Sequence, residues 1–217
     1  MNKARSRAAA WGLAAWAVLT QSALGADTGR KQLDAFLHEL TTLSAEFEQR
    51  VFDEEGAALE SSAGRLELAR PGRFAWTYTT PYRQSIVSDG RTLWLYDEEL
   101  AQVTVNQVDT SAAGSAAQLL GERVDLDAEY TVRELGNRDG AVWIRLLPKH
   151  GERQYTAVEI GLTDGVLSTM RLTDNLGQTT ELRFTGVRRN PPLDPRSFSF
   201  TPPPGVDVVT GTGSAPD

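Results

Sequence analysis

Apolar and polar positions along the chain follow two different periods. In residues 27–43, Leu33, Phe36, Leu37, Leu40 and Leu43 fall on one side at helical spacing, and Arg30, Lys31, Asp34 and Glu39 fall on the other. That pattern predicts an amphipathic helix packed on a sheet. From residue 44 to 52 the period drops to two. Ala45, Phe47, Gln49 and Val51 oppose Glu46, Glu48 and Arg50, as in a half-buried strand. An acidic turn, Asp53-Glu54-Glu55-Gly56, follows.

The alternation is strongest in residues 64–105. Leu66 and Leu68 share a face that Arg70 continues. After the Pro71-Gly72 turn, Phe74, Trp76 and Tyr78 share a face of the next strand. Asp89-Gly90 between two apolar runs is a hairpin signal, because the tight turn it forms needs positive φ. A strand over 100–106 is read with Val103 and Val105 inward. Residues 109–121 break the β pattern. They are rich in alanine, the best helix former, and end on Gly121, so a short helix is expected there.

Strands resume at 130–135, 141–147, 155–161, 167–173 and 179–187. Their inward positions are Val142, Ile144, Leu146, Val158, Ile160, Met170, Leu172, Leu182 and Phe184. Arg145, Glu159, Arg171, Glu181 and Arg183 face outward. One apolar and one wet face is the antiparallel signature. The fold class is therefore mainly β (α+β): about ten or eleven antiparallel strands on a meander path, curled into an incomplete, strongly coiled barrel. Two short helical segments are available to cover its open mouth. The Pro-rich stretch 189–204 has Phe198 and Phe200 as anchors, and residues 210–217 read as a small, polar, disordered tail.

Composition refines this picture. The chain has 217 residues and no cysteine, so it has neither a disulfide framework nor a thiol nucleophile, nor the cysteine that would make it a lipoprotein itself. Residues 1–25 read as a secretory signal: Lys3, Arg5 and Arg7, then an apolar run from Ala8 to Leu19, then Ala23-Leu24-Gly25. Cleavage is expected after Gly25 or Ala26, leaving one domain over 26–209. The signal removes three basic residues and no acidic one. The mature chain keeps 19 basic and 29 acidic residues, and the net charge moves from −7 to −10. This argues against nucleic acid as a partner.

Catalytic signatures are sparse. His38 and His150 are the two histidines, and His38-Glu39-Leu40 lacks the second histidine of a zinc helix. There is no Gly-x-Ser-x-Gly elbow. No metal or cofactor is called for, and a hydrolase built on scattered carboxylates is disfavoured. A binding protein with an apolar interior fits better. Arg70 is then the anomaly, since a guanidinium on an apolar face is costly unless its donors are met.

The run Arg70-Pro71 through Phe74-Ala75-Trp76, then Ile86-Val87-Ser88-Asp89-Gly90 and Thr92-Leu93-Trp94-Leu95-Tyr96, resembles the outer-membrane lipoprotein carrier protein family, LolA. The closing stretch Phe198-Ser199-Phe200-Thr201-Pro202-Pro203-Pro204-Gly205-Val206 resembles that family's last motif. The order of elements is similar over about residues 30–209. The resemblance implies a soluble, monomeric, non-enzymatic periplasmic carrier. Its cargo would be acylated lipoproteins, taken from an inner-membrane ABC release complex to an outer-membrane receptor lipoprotein. It implies an acyl-chain cavity on the inward face: Leu66, Leu68, Phe74, Trp76, Val103 and Val105 from the first half, and Ile144, Ile160, Leu172 and Phe184 from the second. It also implies lid helices carrying Phe36, Leu40, Leu119 and Leu120, with Arg70 as the latch that holds them through helix carbonyls. The segment 111–120 departs from the family pattern in being mostly Ala and Ser. A lipid- or lipoprotein-sensing regulatory binder on the same fold is the alternative reading. It is disfavoured because no second domain follows residue 209.

Overall fold

The structure, a computed structural model, describes residues 28–108, 116–150 and 154–210. A helix α1 (Thr28–Leu37) precedes six strands: β1 (Thr42–Phe52), β2 (Ala58–Ala69), β3 (Arg73–Thr80), β4 (Gln84–Asp89), β5 (Thr92–Asp97) and β6 (Gln102–Gln107). Two short helices follow, α2 (Ala116–Gly121) and α3 (Leu126–Glu129). Then come β7 (Tyr130–Arg138), β8 (Ala141–Pro148), β9 (Tyr155–Thr163), β10 (Val166–Asp174) and β11 (Thr179–Arg189). A single 3-10 turn (Pro195–Phe198) leads to β12 (Asp207–Thr210).

The strands form one sheet in the order β12-β6-β5-β4-β3-β2-β1-β11-β10-β9-β8-β7. Every neighbouring pair is antiparallel except β12, which runs parallel to β6. Two meanders are joined where β1 pairs with β11, with Phe47 opposite Phe184. The sheet does not close, because β12 and β7 end it on either side. Helix α1 packs on β7 to β10, and α2 packs on β2 and β3. The incomplete antiparallel barrel expected from sequence is thus present, with twelve strands rather than ten or eleven.

Cross-strand register fixes which residues face the bowl. Leu43, Leu68 and Phe74 line up across β1, β2 and β3, as do Ala45, Leu66, Trp76, Ile86 and Leu95 across β1 to β5. In the second half, Ile144, Ile160, Met170 and Leu182 form the matching row. Leu66, Leu68, Ile144, Leu146, Ile160 and Met170 are completely or almost completely buried.

The same register corrects the reading of β6. Val105 pairs with Trp94, which pairs with Val87, which pairs with Ala75; Val103 pairs with Tyr96. Both valines therefore stand on the convex face, opposite Leu66 and Leu68, and do not belong to the cavity. The physical reason is a second, smaller apolar layer. The C-terminal 3-10 turn packs on β3 and β4, Phe198 is buried, and the Phe200 ring lies 5.3 Å from Tyr96. The concave positions of β6 are Thr104 and Asn106. Alternation marks two faces without saying which one is the bowl.

Three further boundaries differ from the pattern. The first helix stops at Leu37 instead of Leu43, because Glu39 takes a left-handed φ of 53° and β1 starts at Thr42. Leu40 and Leu43 stay buried, but Leu40 lies in the connection and Leu43 in the strand. The second helix is described from Ala116, so the expected segment 111–115 lies outside the described residues. Thr210, assigned to the tail on sequence, pairs with Val105 in β12; residues 1–27 and 211–217 lie outside the described residues.

The convex face of the second half carries an ion-pair ladder. Arg145 Nε donates to Glu159 at 2.8 Å, Arg171 Nε to Glu181 at 2.7 Å, and Arg183 Nε to the other Glu181 oxygen at 2.8 Å. Trp143, buried on this outer face, lies between the guanidinium groups of Arg138 and Arg171, 4.7 and 4.9 Å from its ring. Burial opposes ionisation of Glu181, but the bonds from the two arginines outweigh it and hold its carboxyl below the ordinary glutamate range. A depressed folded-state pKa gives stability that is complete above the unfolded value of about 4.3 and is lost as pH falls through the folded value. Glu181→Gln should therefore be less stable than wild type at neutral pH, with the gap narrowing below about pH 4. Denaturant unfolding across a pH series measures this; a gap that does not change with pH would sink the explanation.

Candidate functional site

The site is built from one strand end and two helix ends. Alternation along β2 places Leu66, Leu68 and then Arg70 on the concave side, so the guanidinium emerges at the rim just past the last paired residue, Ala69. Its backbone N–H donates to Thr41 O at 2.8 Å. Its side chain reaches both helices: Nε donates to Leu120 O of α2 at 2.9 Å, and Nη1 donates to Leu37 O of α1 at 3.2 Å. Last-turn carbonyls lack partners within their helix and sit at its negative end, so they suit a cation's donors. Burial pushes the Arg70 pKa down, the nearby Arg123 adds to this, and Glu122 opposes it. Arginine nevertheless stays protonated in proteins.

The turn after Arg70 takes part as well. Gly72 N donates to Gly121 O at 3.2 Å. Gly72 has a φ of 65°, and a Cβ there would meet Glu122 Oε1 at 2.9 Å. The closeness of this turn to α2 and its left-handed backbone both favour glycine. Among the described residues, the bonds that tie the C-terminus of α2 to the sheet both come from this one turn.

Helix α1 is held differently. At its C-terminus, Arg189 Nη2 donates to His38 O at 2.7 Å and to Ala35 O at 3.2 Å, with its guanidinium 5.5 Å from the Phe36 ring centre. Asn190 Nδ2 donates to Glu39 O at 3.0 Å, and Asn190 Oδ1 accepts from Thr41 N at 2.8 Å. At the other end, Glu134 pairs with Ile144 on the concave face and its Oε1 accepts from Arg30 N at 2.7 Å. Arg30 also bridges Asp34 and Asp127, which ties α1 to α3. Sequence reading missed Arg189, Asn190 and Glu134, because each acts on a backbone more than a hundred residues away.

Beneath the helices the bowl is sealed by Leu33, Phe36, Leu40 and Leu120, each about 1% exposed. A polar crevice of about 480 Å³ runs between α1 and the α2–α3 connection, with Arg30, Asp34, Arg70, Glu122 and Arg123 in its walls. A second, mainly apolar cavity of about 360 Å³ lies between β3–β5 and β9–β11. Phe74, Trp76, Ile86, Leu93 and Leu95 form one wall, Leu172 and Leu182 the other, with Ala116 of α2 at its edge. Of the sequence-predicted lining, Phe74, Trp76 and Leu172 reach this space. Leu66, Leu68, Ile144, Ile160 and Phe184 belong to the same continuous core. Phe36, Leu119 and Leu120 pack down from the helices, as expected, and Leu40 from the connection that follows α1.

No group of three or more potential metal ligands occurs among the described residues, and no helix among them is long and apolar enough to cross a membrane.

Comparison with known proteins places this geometry. A family model described as outer membrane lipoprotein carrier protein LolA matches residues 38–201. An outer-membrane lipoprotein carrier protein of Chromobacterium violaceum is 42% identical over 180 residues, 83% of this chain and 86% of that protein. One of Methylococcus capsulatus is 41% identical over 181 residues, 83% of this chain and 87% of that protein. Among solved structures, an uncharacterized conserved protein from Thermus thermophilus shares the fold, with a TM-score of 0.54, 16% identity, and coverage of 84% of this chain and 98% of that one. The chain belongs to the outer-membrane lipoprotein carrier protein family, LolA.

Proposed function

We propose that the protein is a periplasmic carrier that holds the acyl chains of lipoproteins in its bowl and passes them to an outer-membrane receptor. The observation that carries this reading is the position of Arg70, a single side chain bonded at once to both helices that cover an apolar bowl. Family membership supports the carrier role, and no catalytic step is part of it.

The energetics explain why a latch is needed. Each methylene withdrawn from water is worth about 0.8 kcal/mol, so an acyl chain with about fifteen enclosed carbons gains about 12 kcal/mol. A carrier that kept all of this could not release its cargo. Displacing α2 sets a cost against it: the Arg70 bond to Leu120 O, at about 1.5–3 kcal/mol for a bond to a charged group, the Gly72 bond to Gly121 O, at about 0.5–1.5 kcal/mol, and the exposure of Leu119 and Leu120, about 1.5–3 kcal/mol apiece. The empty protein then favours closure, and the loaded protein stores a tendency to close that assists hand-over. The source would be an inner-membrane ABC release complex, with export directed by a signal over residues 1–25.

Three measurements test this reading. Arg70→Leu removes the latch and adds apolar lining. The loaded state should gain about tenfold or more, as expected for losing the charge-assisted bond that holds α2, and transfer of loaded lipoprotein to the receptor should fall accordingly; equal transfer by variant and wild type would leave Arg70 a rim residue with no gating role. A fluorophore sensitive to apolar surroundings should bind the wild type and be displaced by lipoprotein, whereas a folded protein that binds none would have a solid core. N-terminal sequencing of the protein from periplasm should read from Ala26 or Asp27, and an intact Met1 on a membrane-bound form would refute the export signal.

A further inference from the structure

The second cavity is not uniformly apolar. Polar side chains gather at one end of it: Gln49 of β1, Tyr78 of β3, Gln154 and Tyr155 at the start of β9, and Thr180 of β11. This is the end away from Arg70. Thr42, at the other end of β1, pairs with Ala69 beside Arg70, and seven residues of strand separate it from Gln49, about 23 Å. The bowl therefore has a direction, with a latch at one end and a polar pole at the other.

The pole presents donors. The Tyr78 hydroxyl donates to Gln49 Oε1 at 3.1 Å. Burial, with help from Glu60 and Tyr155, pushes the Tyr78 pKa up to about 12, so the phenol keeps its proton and stays a donor. That bond sets the amide so that Gln49 Nε2 is left with two N–H groups and no acceptor among the described residues. Trp76, two residues before Tyr78 on the same face of β3, is only 5% exposed; its Nε1 makes no well-aligned hydrogen bond and has the Tyr78 hydroxyl as its polar neighbour. A buried donor without an acceptor is rare and costly in native proteins. An indole N–H without a well-aligned bond and a half-buried amide with free N–H groups, both lining one mainly apolar cavity, mark the place of a missing acceptor.

We infer that this pole is a subsite for the ester carbonyl of an acyl chain, with Gln49 Nε2 as its donor and the Trp76 indole completing the pocket. The inference rests on the carrier reading and adds an orientation to it. The carbonyl lies near Gln49, the hydrocarbon tail runs past Phe74, which pairs with Leu68 near the rim, towards the latch, and the cargo's own polypeptide leaves the bowl at the far rim. The part of the cargo that presses on α2 is then the tail and not the headgroup, so longer chains should open the latch more completely than short ones.

The test compares dodecanoylglycerol with dodecyl glyceryl ether, which share chain and headgroup but differ in the carbonyl. Each displaces the cavity fluorophore from the full mature protein. Wild type should bind the ester about tenfold more tightly than the ether, about the effect of one well-made hydrogen bond. Gln49→Met, which keeps the side chain's volume, should bring that ratio to one or below. Tyr78→Phe frees the amide to rotate and should reduce the ratio without abolishing it. Equal binding of both lipids by wild type, or a preference that survives Gln49→Met, would overturn the subsite while leaving the carrier reading intact. If neither lipid displaces the fluorophore, the carrier reading falls as well.

Discussion

A guanidinium on the apolar face of a sheet must find acceptors or reach water. Arg70 stands at the rim of the bowl, where backbone carbonyls are the acceptors within reach, and it takes one from each of two helices. Much of the structure's behaviour follows from that constraint. The helices close because the cation needs their carbonyls, and the carbonyls at helix ends need a donor. The contact is worth a few kcal/mol, comparable to part of an acyl chain's burial and far less than all of it. That balance permits both loading and release.

The two helices do not share the motion equally. Arg189 and Asn190 hold the C-terminus of α1, Glu134 and the Arg30–Asp127 pair hold its other end, and these bonds remain if Arg70 lets go. Helix α2 has only six described residues and is tied through Leu120 and Gly121 to a single turn. Its described sequence, Ala116–Gly121, has Leu119 and Leu120 as its large apolar side chains. A short helix tethered at one turn is the part expected to move, while α1 serves as a fixed wall.

Much of this was legible in the sequence. The alternation Leu66, Leu68, Arg70 identified both a bowl face and its anomaly, because a charge in phase with two leucines is unusual whatever the fold. The outward ladder of Arg145, Glu159, Arg171, Glu181 and Arg183 was equally plain. What failed had physical causes. Val103 and Val105 alternate as cleanly as any inward pair, but the C-terminal 3-10 turn and Phe200 give this half of the sheet an apolar layer on its convex side, and the period alone cannot choose between the faces. Trp143 would be assigned inward by size, yet it is buried on the outer face by two guanidiniums and by Gly161, where a Cβ would press on its ring at 3.1 Å. Arg189 and Asn190 left no local signal, since their acceptors belong to the first helix and the connection after it. The four-residue β12 was hidden by its shortness and its parallel pairing with a strand about a hundred residues earlier.

The account's central claim is that cargo displaces α2 from Arg70 and its turn while α1 stays in place. Backbone amide hydrogen exchange reads this residue by residue. In the empty protein the Gly72 amide, which donates to Gly121 O, and the Arg30 amide, which donates to Glu134, are both hydrogen-bonded. On loading with lipoprotein, Gly72 should lose protection and Arg30 should keep it. Unchanged protection at Gly72 in the loaded protein, or equal loss at both amides, would contradict the account.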